Sequence, residues 1–261
     1  MIRRDLLKFA ATATAAPALL HSPEAVAAQT SGSAPAPGPA DDIAMLIYPG
    51  FTALDLVGPY HFLGGMPRAR VHLVTNQADL RPVPSDIGLA IQPTATLADC
   101  PSELAIIFTP GGTTGTLAAA RDPRTIAFMR HHAERARYVT SVCTGSLILG
   151  AAGALRGKRA TSHWSVVPLL SNFGAMPVRE RVVRDGKLIT GAGVSAGMDF
   201  GATLVAEMHG QRVAEAGILM AEYAPEPPFP TGSIEQAPAD LVRLLERGLS
   251  GFVLEAAQLR S

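Results

Sequence analysis

The chain has 261 residues, 48% of them hydrophobic and 17% charged, with 22 basic and 22 acidic side chains in balance. That composition supplies a sizeable apolar core and excludes a chain disordered along its length. Zero net charge with scattered arginines gives no electrostatic basis for gripping nucleic acid or an anionic bilayer, and the length suits one α/β domain behind an N-terminal segment.

Residues 1–28 carry Arg3-Arg4 and Lys8, then a mild apolar stretch from Phe9 to Leu20, then Ala25-Val26-Ala27 as a small-residue cleavage pattern. This order reads as an export leader. The run Arg3-Arg4-Asp5-Leu6-Leu7-Lys8 resembles a twin-arginine signal, with Ile2 and Leu6 where Ser or Thr and Phe are usual. A retained amphipathic helix is the alternative, since the apolar run is too short and alanine-rich to span a bilayer. The expected destination is periplasmic or secreted, with no stable membrane association once the leader is removed. Residues 29–42, rich in Ser, Ala, Pro and Gly, read as a flexible linker. A catalytic domain over 43–232 and a C-terminal helical extension over 233–261 complete the organisation.

Along the domain, Ile43 to Tyr48 reads as a strand buried on both faces, ended by Pro49-Gly50. Leu54 to Leu63 follows as a helix capped by Thr52 and kinked at Gly58-Pro59. Arg70 to Thr75 alternates as a strand, and Leu80 to Pro93 suggests a hairpin at the sheet edge. Leu104 to Thr109 is a further apolar strand, stopped by Pro110-Gly111-Gly112. Pro123 to Ala136 is a helix started by Asp122, Tyr138 to Val142 a strand, and Gly145 to Leu155 the next helix. Arg159 to Ser162 reads as a strand and Val166 to Leu170 as a short helix. Val178 to Val183 pairs with Lys187 to Thr190 across Asp185-Gly186, a hairpin signal. Helices from Ser195 to His209, Val213 to Tyr223 and Leu241 to Leu259 close the chain. This alternation predicts a doubly wound, mostly parallel sheet with helices on both faces.

In such a sheet the ligand crevice lies beyond the carboxyl ends of the strands. Three junctions therefore matter: Tyr48-Pro49-Gly50 leading to Asp55, Pro110-Gly111-Gly112, and Val142-Cys143-Thr144-Gly145. Cys143, between a strand and a helix, is the candidate nucleophile, because the positive end of the helix favours a thiolate and lowers the thiol pKa from about 8.5 toward about 7. A small cysteine packed between strand and helix is the plain alternative. The N–H groups of Gly112 and Thr144 are candidate donors to an oxyanion, and glycine at 111 and 112 lets backbone approach without a side chain. Asp55, among Leu54, Leu56 and Val57, is the candidate general acid/base, although an acidic residue near a helix start is more often a solvated charge. His163 and Trp164 are candidate pocket residues, a lone His being more often structural. Cys100, before Pro101 and without a neighbouring base, reads as structural, and a disulfide to Cys143 is disfavoured because a domain of this size does not need one. Asp199 reads as a capping or solvated charge.

Taken together, Tyr48-Pro49-Gly50-Phe51, Leu54-Asp55-Leu56-Val57-Gly58-Pro59, Thr109-Pro110-Gly111-Gly112, Val142-Cys143-Thr144-Gly145, Arg159-Ala160-Thr161-Ser162-His163-Trp164 and Tyr223-Ala224-Pro225-Glu226-Pro227-Pro228-Phe229 resemble the ThiJ/PfpI superfamily with its class I glutamine amidotransferase-like (flavodoxin-like) fold. Within it the chain is most similar to the isocyanide hydratases. The resemblance runs from about Ile43 to Phe229 and implies Cys143 as nucleophile, Asp55 as acid/base and Thr144 as a residue that holds the elbow and donates to the pocket. It also implies a small, apolar, neutral substrate, a homodimer, and no metal or cofactor. Glyoxalase, deglycase or amidase-like chemistry of the same superfamily remains an alternative, weakened for the glyoxalases and deglycases by Thr144 where His is expected. A redox-sensing or chaperone role is another. A transcription regulator is a third, disfavoured because about forty residues follow the domain, too few for a paired helix-turn-helix module.

Overall fold

The structure, a computed structural model, describes residues 40–260. The expected leader (1–28) and nearly all of the expected linker (29–42) lie outside the described residues. Only the end of that linker is seen, and it is not a linker: Asp41 and Asp42 begin strand β1, Asp41–Ile47. Asp42 is held there by Arg70 and His72 of the adjacent strand.

In chain order, β1 is followed by α1 (Ala53–Leu63), β2 (Ala69–Thr75), β3 (Val83–Pro84), β4 (Ala90–Ile91), β5 (Ala95–Thr96) and β6 (Ile106–Thr109). Next come α2 (Thr114–Arg121), α3 (Pro123–Arg135), β7 (Tyr138–Val142), α4 (Gly145–Ala151), β8 (Arg159–Ala160), a 3₁₀ helix (Val167–Phe173) and β9 (Met176–Pro177). The chain ends with β10 (Val182–Asp185), β11 (Leu188–Gly191), α5 (Ala196–His209), α6 (Gln211–Met220) and α7 (Ala239–Ala256). A seven-stranded sheet runs β10-β11-β7-β6-β1-β2-β5, parallel throughout except for β10. Helices α1, α5 and α6 pack together as one layer, and α2, α3 and α4 as another. Such layering requires central strands that are apolar on both sides. Accordingly Ile43 to Ile47 and Ile106 to Phe108 are fully buried.

Several local expectations change. The segment around 80–93 does form a hairpin, but β3 and β4 make their own two-stranded sheet, and the edge of the main sheet is β5. The α1 helix is continuous through Pro59, whose ring packs against Gly197 of α5, and the close approach of the two helices leaves no room for a side chain there. Thr52 precedes α1 without capping it; its hydroxyl donates instead to Asp86 (2.7 Å). Asp122 does cap α3, accepting from the N–H groups of Arg124 and Thr125. Helix α2 was not visible in the sequence pattern at all. β8 pairs with β9 in a separate small sheet rather than joining the main one.

The strand order places β1 between β2 and β6, so the connections leave β1 in opposite directions. The crevice that opens at such a reversal lies over the carboxyl ends of β1, β6 and β7. Asp55, Gly111-Gly112 and Cys143 follow those three strands.

Candidate active site

Cys143 is the residue between β7 and α4, and its φ of 58° puts a side chain in the left-handed region that glycine usually occupies. Its strained turn is over-determined from both sides. The N–H of Cys143 donates to the carbonyls of Gly191 (3.1 Å) and Ala192 (2.7 Å). Its carbonyl accepts from the hydroxyls of Ser162 (2.9 Å) and Ser146 (3.3 Å), and Ser146 also donates to Ser162 (2.7 Å). A non-glycine residue in this conformation costs on the order of 1 kcal/mol and persists only where neighbours hold it.

Asp55, in the first turn of α1, is fully buried and its carboxyl group meets the Cys143 thiol. One oxygen, Oδ2, accepts from the N–H of Gly111 (2.8 Å). The other, Oδ1, is buried without a hydrogen-bond partner among the described residues. Burial pushes the Asp55 carboxyl up to about 7, against the lowering effect of the Gly111 N–H. Burial and the adjacent Asp55 charge raise the thiol of Cys143 as well. The expected lowering of the Cys143 thiol pKa is not met: the backbone N–H of Thr144 favours the anion, but desolvation and the neighbouring Asp55 push the thiol up.

The glycines make this contact possible. A Cβ on Gly111 would sit 2.6 Å from both the N and Oγ1 of Thr144 and 2.7 Å from Oδ2 of Asp55. Gly112, a candidate oxyanion donor, already has a partner for its N–H. Its N–H donates to Oγ1 of Thr144 (2.9 Å), and that hydroxyl in turn donates to the Gly112 carbonyl. With the Gly111 N–H on Asp55 and the Gly112 N–H on Thr144, the Thr144 N–H is the one of the expected donors that is directed at the sulfur.

Beneath Thr144 lies a chain of buried hydroxyls. Oγ1 of Thr116, from α2, is 3.0 Å from Oγ1 of Thr144 and 3.0 Å from the hydroxyl of Tyr48, which donates to the Pro110 carbonyl (2.7 Å). Tyr48 and Thr116 thus tie the ends of β1 and β6 to the elbow. Neither was singled out from sequence. Thr116 was missed with its helix, and only the strand–glycine turn before it signalled that a helix should follow.

Cys143 opens on a cavity of about 270 Å³. His163 and Trp164 line it as expected, His163 donating to or accepting from Ser165 Oγ (2.8 Å), with burial lowering its pKa. Val194 and, unexpectedly, Leu245, Leu249 and Phe252 of α7 complete the wall. None of the lining residues is an Asp, Glu, Lys or Arg. Cys100 is remote from this chemistry: both cysteines are free, and burial pushes the Cys100 thiol up to about 12. Asp199 pairs with Arg181 and accepts from Tyr223 (3.2 Å). Among the described residues no cluster of three or more His, Cys, Asp or Glu could hold a metal, and no helix is long and apolar enough to cross a membrane.

The DJ-1/PfpI family matches over residues 41–207, a span that contains all three strand-end junctions. The chain belongs to the DJ-1/PfpI family. It is 51% identical over 200 residues to an isonitrile hydratase of Pseudomonas putida, covering 77% of this chain and 86% of that protein. A solved ThiJ/PfpI family protein from Pseudomonas syringae is 50% identical and superposes with a TM-score of 0.82 over 90% of this chain and 98% of that one. The DJ-1beta structure from Drosophila melanogaster, 21% identical with a TM-score of 0.64 over 71% of this chain and all of that one, shares the fold.

Proposed function

We propose that this DJ-1/PfpI protein is a cysteine-dependent isocyanide hydratase that adds water to R–NC to give the N-substituted formamide. The observation that carries the reading is the buried Cys143–Asp55 pair, whose cysteine lines a cavity with no charged residue in its wall. The 51% identity to an isonitrile hydratase supports it.

The terminal carbon of an isocyanide accepts a nucleophile and a proton at the same atom. The pair supplies both. As the sulfur of Cys143 forms its bond to that carbon, Asp55 takes the thiol proton and delivers it to the carbon, giving the thioimidate R–N=CH–S–Cys143. Water, deprotonated by Asp55, then adds its oxygen to the carbon while the nitrogen gains a proton. The C–S bond breaks, the sulfur recovers a proton, and R–NH–CHO leaves. Atoms and charge balance as R–NC plus water, with no change of oxidation state in the protein. A carboxyl group poised near 7 can serve as base and acid at neutral pH. The Thr144 N–H stabilises sulfur as charge develops on it.

The reading extends to place and assembly. Residues 1–28 are taken as a twin-arginine leader, on the strength of Arg3-Arg4 and the Ala25-Val26-Ala27 site, and the mature protein as a periplasmic or secreted homodimer. The deciding experiment is turnover of an alkyl isocyanide by purified protein, followed as formamide release. Cys143→Ser should lower kcat by at least about a thousandfold. Turnover that survives this substitution would overturn the assignment, and a sedimentation measurement giving a monomer would remove the dimer.

A further inference from the structure

The catalytic pair and the walls of its cavity come from different parts of the chain. Cys143, Asp55 and Thr144 lie within residues 41–207, the part that matches the family at large. Leu245, Leu249 and Phe252, which also line the cavity, lie on α7 beyond that part.

Helix α7 is anchored at its far end. Ala256 and Leu259 are buried in the core, Glu255 pairs with Arg121 (2.9 Å), and Asn172 donates to the Ala257 carbonyl (3.4 Å). Toward its start the helix is exposed, Leu245 by 47%. Positions 245, 249, 252 and 256 recur at spacings of four, three and four, one face of a helix that points its apolar stripe at the cavity from an anchored base. Trp164 and Val194 line the same cavity. The space between is about 270 Å³, near the lower end of small-molecule sites, and its lining holds no charged side chain.

We propose that Leu245, Leu249 and Phe252 of α7 form the specificity wall of the Cys143 site, selecting substrates whose R group is apolar, uncharged and no larger than a compact ring or branched alkyl group. The inference rests on the hydratase reading for the identity of the reacting group, but not for the wall itself. A pocket measures substrate through contacts: a group that fits gains contact with all sides, and one that is too large meets a helix fixed by its buried end. Inside this lining a charged R group would lose its water without an ionic partner; Arg179, Glu180, Arg181 and Glu235 line a second cavity that shares only His163, Trp164 and Val194 with it. The wall therefore separates two tasks, bond-making beneath and selection above.

The test compares methyl, cyclohexyl and 1-adamantyl isocyanides, together with isocyanoacetate as the charged probe, on the full-length protein and on Leu249→Phe, Leu245→Phe and Phe252→Ala. Filling the cavity with Leu249→Phe or Leu245→Phe should lower the cyclohexyl-to-methyl ratio of kcat/KM at least about tenfold, mainly through KM. Opening it with Phe252→Ala should shift the ratio of adamantyl to cyclohexyl by a similar factor in the other direction. Isocyanoacetate should be the poorest substrate of all four. Ratios that stay within about twofold in every variant, or efficient turnover of isocyanoacetate, would overturn the wall. Because these substitutions leave Ala256 and Leu259 untouched, the fold is checked by thermal unfolding of each variant. A second readout needs no turnover: alkylation of Cys143 by N-methylmaleimide against N-cyclohexylmaleimide, measured by mass. If no isocyanide is turned over but the alkylation ratio follows the three substitutions, the hydratase reading fails and the wall stands. If isocyanides are hydrated but neither ratio responds, the wall fails and the hydratase reading stands.

Discussion

The hydroxyl of Thr116 lies 3.0 Å from the hydroxyl of Thr144, below the nucleophile and out of reach of any substrate. Thr144 therefore faces two ways. Its backbone N–H serves the sulfur, while its side chain is fixed by Gly112 on one side and by Thr116 and Tyr48 on the other. Thr116→Val keeps the shape and removes the hydroxyl, leaving Tyr48 and Thr144 each one partner short. Unfolding in urea should show a loss of about 1–3 kcal/mol, the cost of stranding buried polar groups. A purely structural loss would leave kcat unchanged in the folded fraction. Because Thr144 positions the donor to sulfur, kcat should fall by about tenfold with KM little altered.

Asp55 supplies a prediction with a sign. Its carboxyl is raised from 3.8 to about 7 by burial, so between those values the folded protein holds a proton that the unfolded chain has released. Stability from this group is full below about 4, falls as pH rises through that window, and is level above about 7. Asn at position 55 can still accept from the Gly111 N–H and never ionises. Asp55→Asn should therefore be more stable than the parent at pH 8, by roughly 4 kcal/mol at most, with the gap closing toward pH 4. Activity should run the other way: the parent needs the ionised carboxylate to receive the thiol proton, so kcat/KM rises with pH through about 7, and the variant loses that limb along with turnover. Denaturant melts at pH 5, 7 and 8 beside a pH–rate profile test both halves.

The sheet and most of its strands were legible because buried parallel strands are short unbroken apolar runs, and Ile43 to Ile47 and Ile106 to Phe108 are of that kind. Two of the junctions were legible because Pro49-Gly50 and Gly111-Gly112 mark where backbone must turn, and the third because the strand Tyr138 to Val142 gives way to a small-residue helix at Gly145. Helix α2 was not, because Thr114-Gly115-Thr116-Leu117-Ala118-Ala119-Ala120 is small on every side and shows no apolar stripe. Local pattern also misjudged charge at the site. A helix start beside Cys143 argues for a thiolate, but how deeply the sulfur is buried is a tertiary property, and burial wins. The contribution of α7 was invisible for a related reason: its amphipathic stripe was plain, but nothing in the order of residues says that it docks at the cavity of a cysteine about a hundred positions earlier.

The leader carries a separate expectation. If residues 1–28 direct twin-arginine export, both arginines are read by the receptor as a pair, and conservative replacement keeps the charge while losing the guanidinium geometry. Arg3→Lys with Arg4→Lys should leave the precursor inside the cell, detected as unprocessed full-length chain in fractionated cells, whereas the parent is found processed outside the inner membrane. Equal processing of both would remove the twin-arginine reading.

The backbone at Cys143 allows a last test that separates strain from chemistry. Its φ of 58° suits glycine and penalises any side chain, so the elbow is held by the hydrogen bonds of Ser146, Ser162, Gly191 and Ala192 rather than by its own preference. Cys143→Ala and Cys143→Gly both remove the sulfur and should both be inactive. They differ in what the turn costs: alanine keeps the penalty, while glycine relieves it at the expense of extra freedom in the unfolded chain. Relief is the larger effect at a positive φ, so the glycine variant should be more stable than the alanine variant by about 1 kcal/mol in denaturant unfolding. If the alanine variant is the more stable, the turn is not strained in solution, and the sulfur is presented by a backbone that would adopt this conformation without its four anchors.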